Sequence, residues 1–109
     1  MAVSPRPLWT AQAAPTSQTT MFTSTGLKTI IDKLTVSNPT AGVLTYAVNL
    51  VPNGGSAGAS NLILTKSLAA GETYTFPEVI GHVLESGGFS SVIASSTSLI
   101  HRASGREVT

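Results

Sequence analysis

The tightest constraint on this chain is an alternation of apolar and polar residues, broken often by turns. Residues 43–51 place Leu44, Tyr46, Val48 and Leu50 on one step and Val43, Thr45, Ala47 and Asn49 on the other. A period of two sends successive side chains to opposite faces, as in a half-buried β-strand. The preceding segment, residues 28–37 (KTIIDKLTVS), is rich in β-branched residues and also reads as a strand. Regular alternation puts Ile30, Asp32, Leu34 and Val36 on its apolar face, interrupted by Asp32, and Thr29, Ile31, Lys33 and Thr35 on the other. Asn38-Pro39-Thr40-Ala41-Gly42 joins the two segments with the residue types that favour a turn.

The same grammar continues to the end. A Gly-rich loop over residues 52–60 leads to a short apolar strand at 61–64, which residues 66–68 either continue or follow with another. Thr73-Tyr74-Thr75-Phe76 is a strand with both aromatics on one face, and residues 77–84 suggest one helical turn with Pro77 at its first position. Residues 89–94 and 98–103 are strands, the latter extended by residues 104–109 into an open edge without a charged guard. No long 3.6-residue pattern appears, which argues against βαβ architecture. The expected fold is all-β, one antiparallel β-sandwich or small barrel of about seven short strands.

Residues 1–19 stand apart. Pro5, Pro7 and Pro15 lie among Ala, Ser, Thr and Gln. Each proline fixes φ and removes a donor, which disfavours helix and central strand. The segment reads as an extended N-terminal arm preceding a sandwich domain of residues 20–109. Leu8 and Trp9 are an apolar pair on this polar arm. Burial against the chain's own domain and docking on a neighbouring subunit both account for them, and they are the candidate protein-interface residues.

Charge limits the partners. The 109 residues carry six basic and five acidic side chains, with formal net charge +1. Such a balance gives no electrostatic case for nucleic acid or an anionic membrane. There is no cysteine, hence no disulfide framework or zinc–thiolate site. No apolar run approaches the roughly 18 residues that span a bilayer. The first residues lack the apolar core of a signal peptide, so synthesis in a cytoplasm is expected. A hydroxyl-rich surface, with 15 Thr and 14 Ser, suits contact with other protein.

Catalytic motifs are weak. Gly54-Gly55-Ser56-Ala57-Gly58 fits G-x-S-x-G, but that motif works where a strand turns into a helix over a parallel sheet. Here another strand follows. The other triad components would have to be Asp32 with His82 or His101. The two histidines lack a second ligand at metal-binding spacing and are expected at the surface or an interface. Asp32 is expected in an ordinary ion pair with Lys33 or a cross-strand cation. No enzyme activity, cofactor or metal is expected.

Five segments, in order, carry a resemblance: residues 34–38 (LTVSN), 50–58 (LVPNGGSAG), 67–73 (SLAAGET), 83–88 (VLESGG) and 102–109 (RASGREVT). Over residues 20–109, and more loosely in the arm, the chain resembles small β-rich virion proteins of tailed bacteriophages. Ser86-Gly87-Gly88-Phe89 departs from the more polar turn of that group. The resemblance implies a non-enzymatic virion subunit of appendage or tail-fibre type. It would form homo-oligomers and attach to the head or head–tail region through its arm and edge strands. Its partners would be copies of itself and capsid, adaptor or tail components. Two alternatives are a capsid decoration (cement) protein and a host-surface or glycan-binding module. The last needs an exposed aromatic beside polar groups. Trp9, Tyr46, Tyr74 and Phe89 are the candidates, with Trp9 expected to be the free one.

Overall fold

The computed structural model describes residues 3–108. Nine strands follow in chain order: β1 (Val3–Ala13), β2 (Thr19–Thr23), β3 (Lys28–Ser37), β4 (Leu44–Val51), β5 (Leu62–Leu68), β6 (Thr73–Thr75), β7 (Val83–Glu85), β8 (Phe89–Ala94) and β9 (Ile100–Val108). They form two antiparallel sheets. The first runs β1-β9-β3-β6, with β7 also pairing β3; the second runs β2-β8-β4-β5. The sheets enclose a core built on Leu34, Val36, Tyr46, Val48, Phe76 and Val92. The chain is thus an all-β sandwich.

Two bulges decide which residues reach the core. In β3, Ile31 pairs with Gly105 and Lys33 with Ser104, leaving Asp32 as the extra residue. An inserted residue reverses the phase of the strand beyond it. The buried set is therefore Thr29 and Ile31 before the bulge, then Leu34 and Val36 after it. This corrects the single apolar face expected from regular alternation: Ile30 and Asp32 are not buried, whereas Thr29 and Ile31 are. Gly105 is needed at this crossing, because a Cβ there would collide with the Ile30 carbonyl oxygen.

The second bulge lies in β1. Pro7 pairs with Ser104 and Trp9 with Ala103, so Leu8 is extra. Adjacent side chains on a regular strand point opposite ways, yet Leu8 and Trp9 are both buried. The partner strand makes room for them. The alternating buried positions of β9 include Ala103 and Gly105, and Leu8 Cδ1 lies 3.3 Å from where a Gly105 Cβ would stand. Large side chains on one strand fill the space left by small ones on the next.

The first part of the expected arm is therefore an integral strand of the first sheet, though extended as expected. Pro5 and Pro7 are tolerated because β1 is an edge strand. The open edge expected of the last strand is closed, since β9 lies between β1 and β3. Residues 1, 2 and 109 lie outside the described residues. The helical turn expected over residues 77–84 is instead a run of overlapping turns followed by β7. Val79, Ile80 and His82 donate backbone bonds to the carbonyls three residues earlier.

Candidate functional site

Three places hold chemistry-bearing residues. The first is the contact between the sheets around His101. Tyr46 from β4 and His101 from β9 are both fully buried, and Tyr46 Oη lies 2.6 Å from His101 Nδ1. The Trp9 and His101 ring centroids are 5.3 Å apart, and Tyr46 stands edge-on to both Phe76 and His101. The expectation that His101 is a surface or interface residue is corrected. Alternation in β9 exposes Ile100 and Arg102 and turns His101 inward.

Burial disfavours the charged imidazolium and lowers the His101 pKa to about 4. Burial likewise raises that of the Tyr46 phenol. Both groups are neutral at pH 7. The Tyr46 hydroxyl and His101 Nδ1 are each other's partner, and the imidazole tautomer sets which of them donates. His101 Nε2 and Trp9 Nε1 are both buried without hydrogen-bond partners among the described residues.

The second place is the β4–β5 loop. Asn61 folds it onto itself, donating from Nδ2 to the Ser56 carbonyl and accepting the Gly58 N–H at Oδ1. Asn49 Nδ2 donates to Asn61 Oδ1 and the Gly58 carbonyl. Ser56 is thus on an exposed loop between antiparallel strands, without the strand-to-helix elbow its motif requires. The remaining residues weighed for a triad have other settings. Asp32 is held by Arg106, whose Nε lies 3.1 and 3.0 Å from the two carboxylate oxygens. That is the cross-strand form of the expected ion pair. His82 is exposed in the turn before β7.

The third place is a shallow groove of about 470 Å³ on the first sheet, lined by Ala11, Lys33, Thr35, Ile100, Arg102 and Ser104, among others. Register explains the assembly. Ser37 lies opposite Ile100, Thr35 opposite Arg102, and Lys33 opposite Ser104. Ile100, 39% exposed, is a large apolar residue on this face. It is there because the alternation that buries His101 turns Ile100 out.

Leu8 and Trp9, the interface candidates, lie in the chain's own core at 8% and 7% exposure. They do not form a free docking surface, because β9 accommodates them within the same chain. The aromatics weighed for a glycan site are also engaged. Trp9 is not free, Tyr46 is buried, and Tyr74 and Phe89 are half-buried. Tyr74 packs against Phe76 and lies under the Lys66 ammonium, 4.5 Å from its ring centroid. Sequence reasoning missed the groove. Its signal was Lys33 and Arg102 near Ile100 on neighbouring strands, visible only once the register was known.

No family model matches the chain, and no curated protein or solved structure matches it.

Proposed function

We propose that this chain is a non-enzymatic structural subunit of a bacteriophage virion, of the small appendage or fibre type. It associates with copies of itself and with other virion proteins. The observation that carries this reading is how the sandwich distributes its apolar side chains. Besides a filled core, it exposes Val3, Leu27, Ile80, Val83 and Ile100 from the turns and strands of the first sheet. Charged side chains of the same sheet stand among them, with Lys28, Glu85 and Arg102 within two residues of Leu27, Val83 and Ile100. Scattered apolar residues are normal on any surface; a sheet face that mixes apolar and charged side chains and ends in unpaired edges suits burial against protein. The resemblance noted above supplies the virion context.

The attachment element differs from a free arm. β1 contributes core residues, so contact with the particle falls to sheet edges and outer faces. Copy number distinguishes an appendage from a decoration protein, because a shell lattice holds hundreds of copies and a vertex or tail holds tens. Quantitative mass spectrometry of purified virions tests both points. A fixed stoichiometry of tens supports the appendage, and hundreds supports decoration. Absence from particles, with the protein abundant in the lysate, overturns the structural role.

A further inference from the structure

The charges of this chain are few enough to assign individually. Arg6 pairs with Glu107, Lys66 with Glu72, and Arg106 with Asp32. Lys28 stands directly opposite Glu85 across β3 and β7. Two cations are left without a facing carboxylate among the described residues, Lys33 and Arg102. Both line the groove on the first sheet. Their register places them on diagonal positions of adjacent strands, Lys33 opposite Ser104 and Arg102 opposite Thr35. Diagonal neighbours are about 7–8 Å apart at their Cα atoms, close enough for one carboxylate to approach both long side chains.

One acid is left over too. Glu78 has no cation within ion-pair distance among the described residues. Its polar side-chain contact is the Tyr74 hydroxyl, which donates to Oε2 at 3.4 Å. Glu78 lies in the turn of residues 77–81, outside β3 on the edge away from β1: Phe76 N donates to the Leu34 carbonyl and Gly81 N to that of Ile31. Two residues on, Ile80 is 46% exposed. The turn therefore presents one carboxylate and one apolar side chain. The groove presents two cations around an exposed isoleucine.

We propose that the groove receives the turn of residues 77–81 from a second copy of this chain, with Glu78 between Lys33 and Arg102 and Ile80 against Ile100. Among the described residues no Trp, Tyr or Phe lines the groove, which favours a peptide over a sugar. Two cations are too few for the phosphate array of a nucleic acid. Groove and turn are different patches of one molecule, so the contact is heterologous. It builds a ring where the rotation closes and a filament where it does not. This deepens the structural-subunit reading by naming one of its contacts. The two fail separately: a chain that stays monomeric in solution yet enters particles overturns this contact and leaves that reading standing.

A charge exchange tests it. Sedimentation velocity at low ionic strength follows the wild-type chain, Lys33→Glu/Arg102→Glu and Glu78→Lys, with circular dichroism confirming folding. Lys33→Gln/Arg102→Gln and Glu78→Gln replace any reversal that fails to fold. The wild-type chain is expected to associate with rising concentration, and each reversal to weaken association by about tenfold or more. An equimolar mixture of the two reversals restores it, because each then meets an opposite charge. Three results overturn the proposal: a monomeric wild-type chain, association unaffected by the reversals, or association lost with the groove reversal but indifferent to Glu78. The last assigns the groove to a different acidic occupant.

Discussion

Replacing Trp9 by alanine asks whether β1 belongs to the core of its own chain. Trp9 is 7% exposed and packs beside His101 opposite Ala103. A buried aromatic side chain removes about 150–250 Å² from water, worth about 4–6 kcal/mol at about 25 cal/mol per Å². Truncations of this kind cost about 3–5 kcal/mol in protein cores. One term opposes the loss. The indole N–H is buried without a partner, and deleting it recovers about 1–3 kcal/mol. The net expectation, the middle of the truncation cost less the middle of the recovered term, is a loss of about 2 kcal/mol, a sizeable part of the roughly 5–15 kcal/mol that holds a domain together. Trp9→Phe keeps an aromatic ring and removes the unpaired donor, so it should stay within about 1 kcal/mol of the parent. Urea titration followed by far-UV circular dichroism measures both. A loss below about 1 kcal/mol for Trp9→Ala refutes the reasoning, since β1 would then be a detachable arm.

Stability should also fall in acid through His101. Its folded pKa, about 4, lies below the ordinary imidazole value. The contribution is therefore present above about pH 6.5 and is lost as pH falls through 4, on the order of 2 kcal/mol after allowance for solvent reaching the site. His101→Phe should flatten this part of the profile, and an unchanged slope between pH 7 and 4 contradicts the assignment. Gly105→Ala should cost about 1–3 kcal/mol or more, because its Cβ meets backbone that cannot yield. Gly42→Ala, with nothing within 4 Å of the new Cβ, serves as the neutral comparison in the same melts. Asn38→Ala should cost about 2–3 kcal/mol, since buried Nδ2 donates to the Gly42, Leu68 and Ala69 carbonyls. A thermal midpoint equal to the parent's would show that water replaces this side chain.

The sandwich was legible where alternation is regular. The Lys28–Ser37 strand occupies its expected residues, and Leu44–Val51 begins one residue late. Faces were legible only as far as register stays regular. The extra residue at Asp32 inverts the second half of β3, and no property of Asp32 announces a bulge. The one at Leu8 buries two consecutive side chains, which made the pair look like a docking element. In β9 hydropathy points the wrong way. Its alternating buried positions hold His101, Ala103, Gly105 and Glu107, while Ile100 is exposed. Those small and polar residues are chosen for what crosses them, namely Leu8, Trp9 and Tyr46. Such complementarity is a relation between distant segments, and the groove beside Lys33 and Arg102 is hidden for the same reason.

Electron cryo-microscopy of intact virions bears most directly on the central claim that this sandwich is a structural part of a particle. The account predicts density for the nine-strand fold at repeated positions, with β1 paired to β9 of the same chain and the outer face of the first sheet against protein. Particles complete in every component but lacking that density would contradict it.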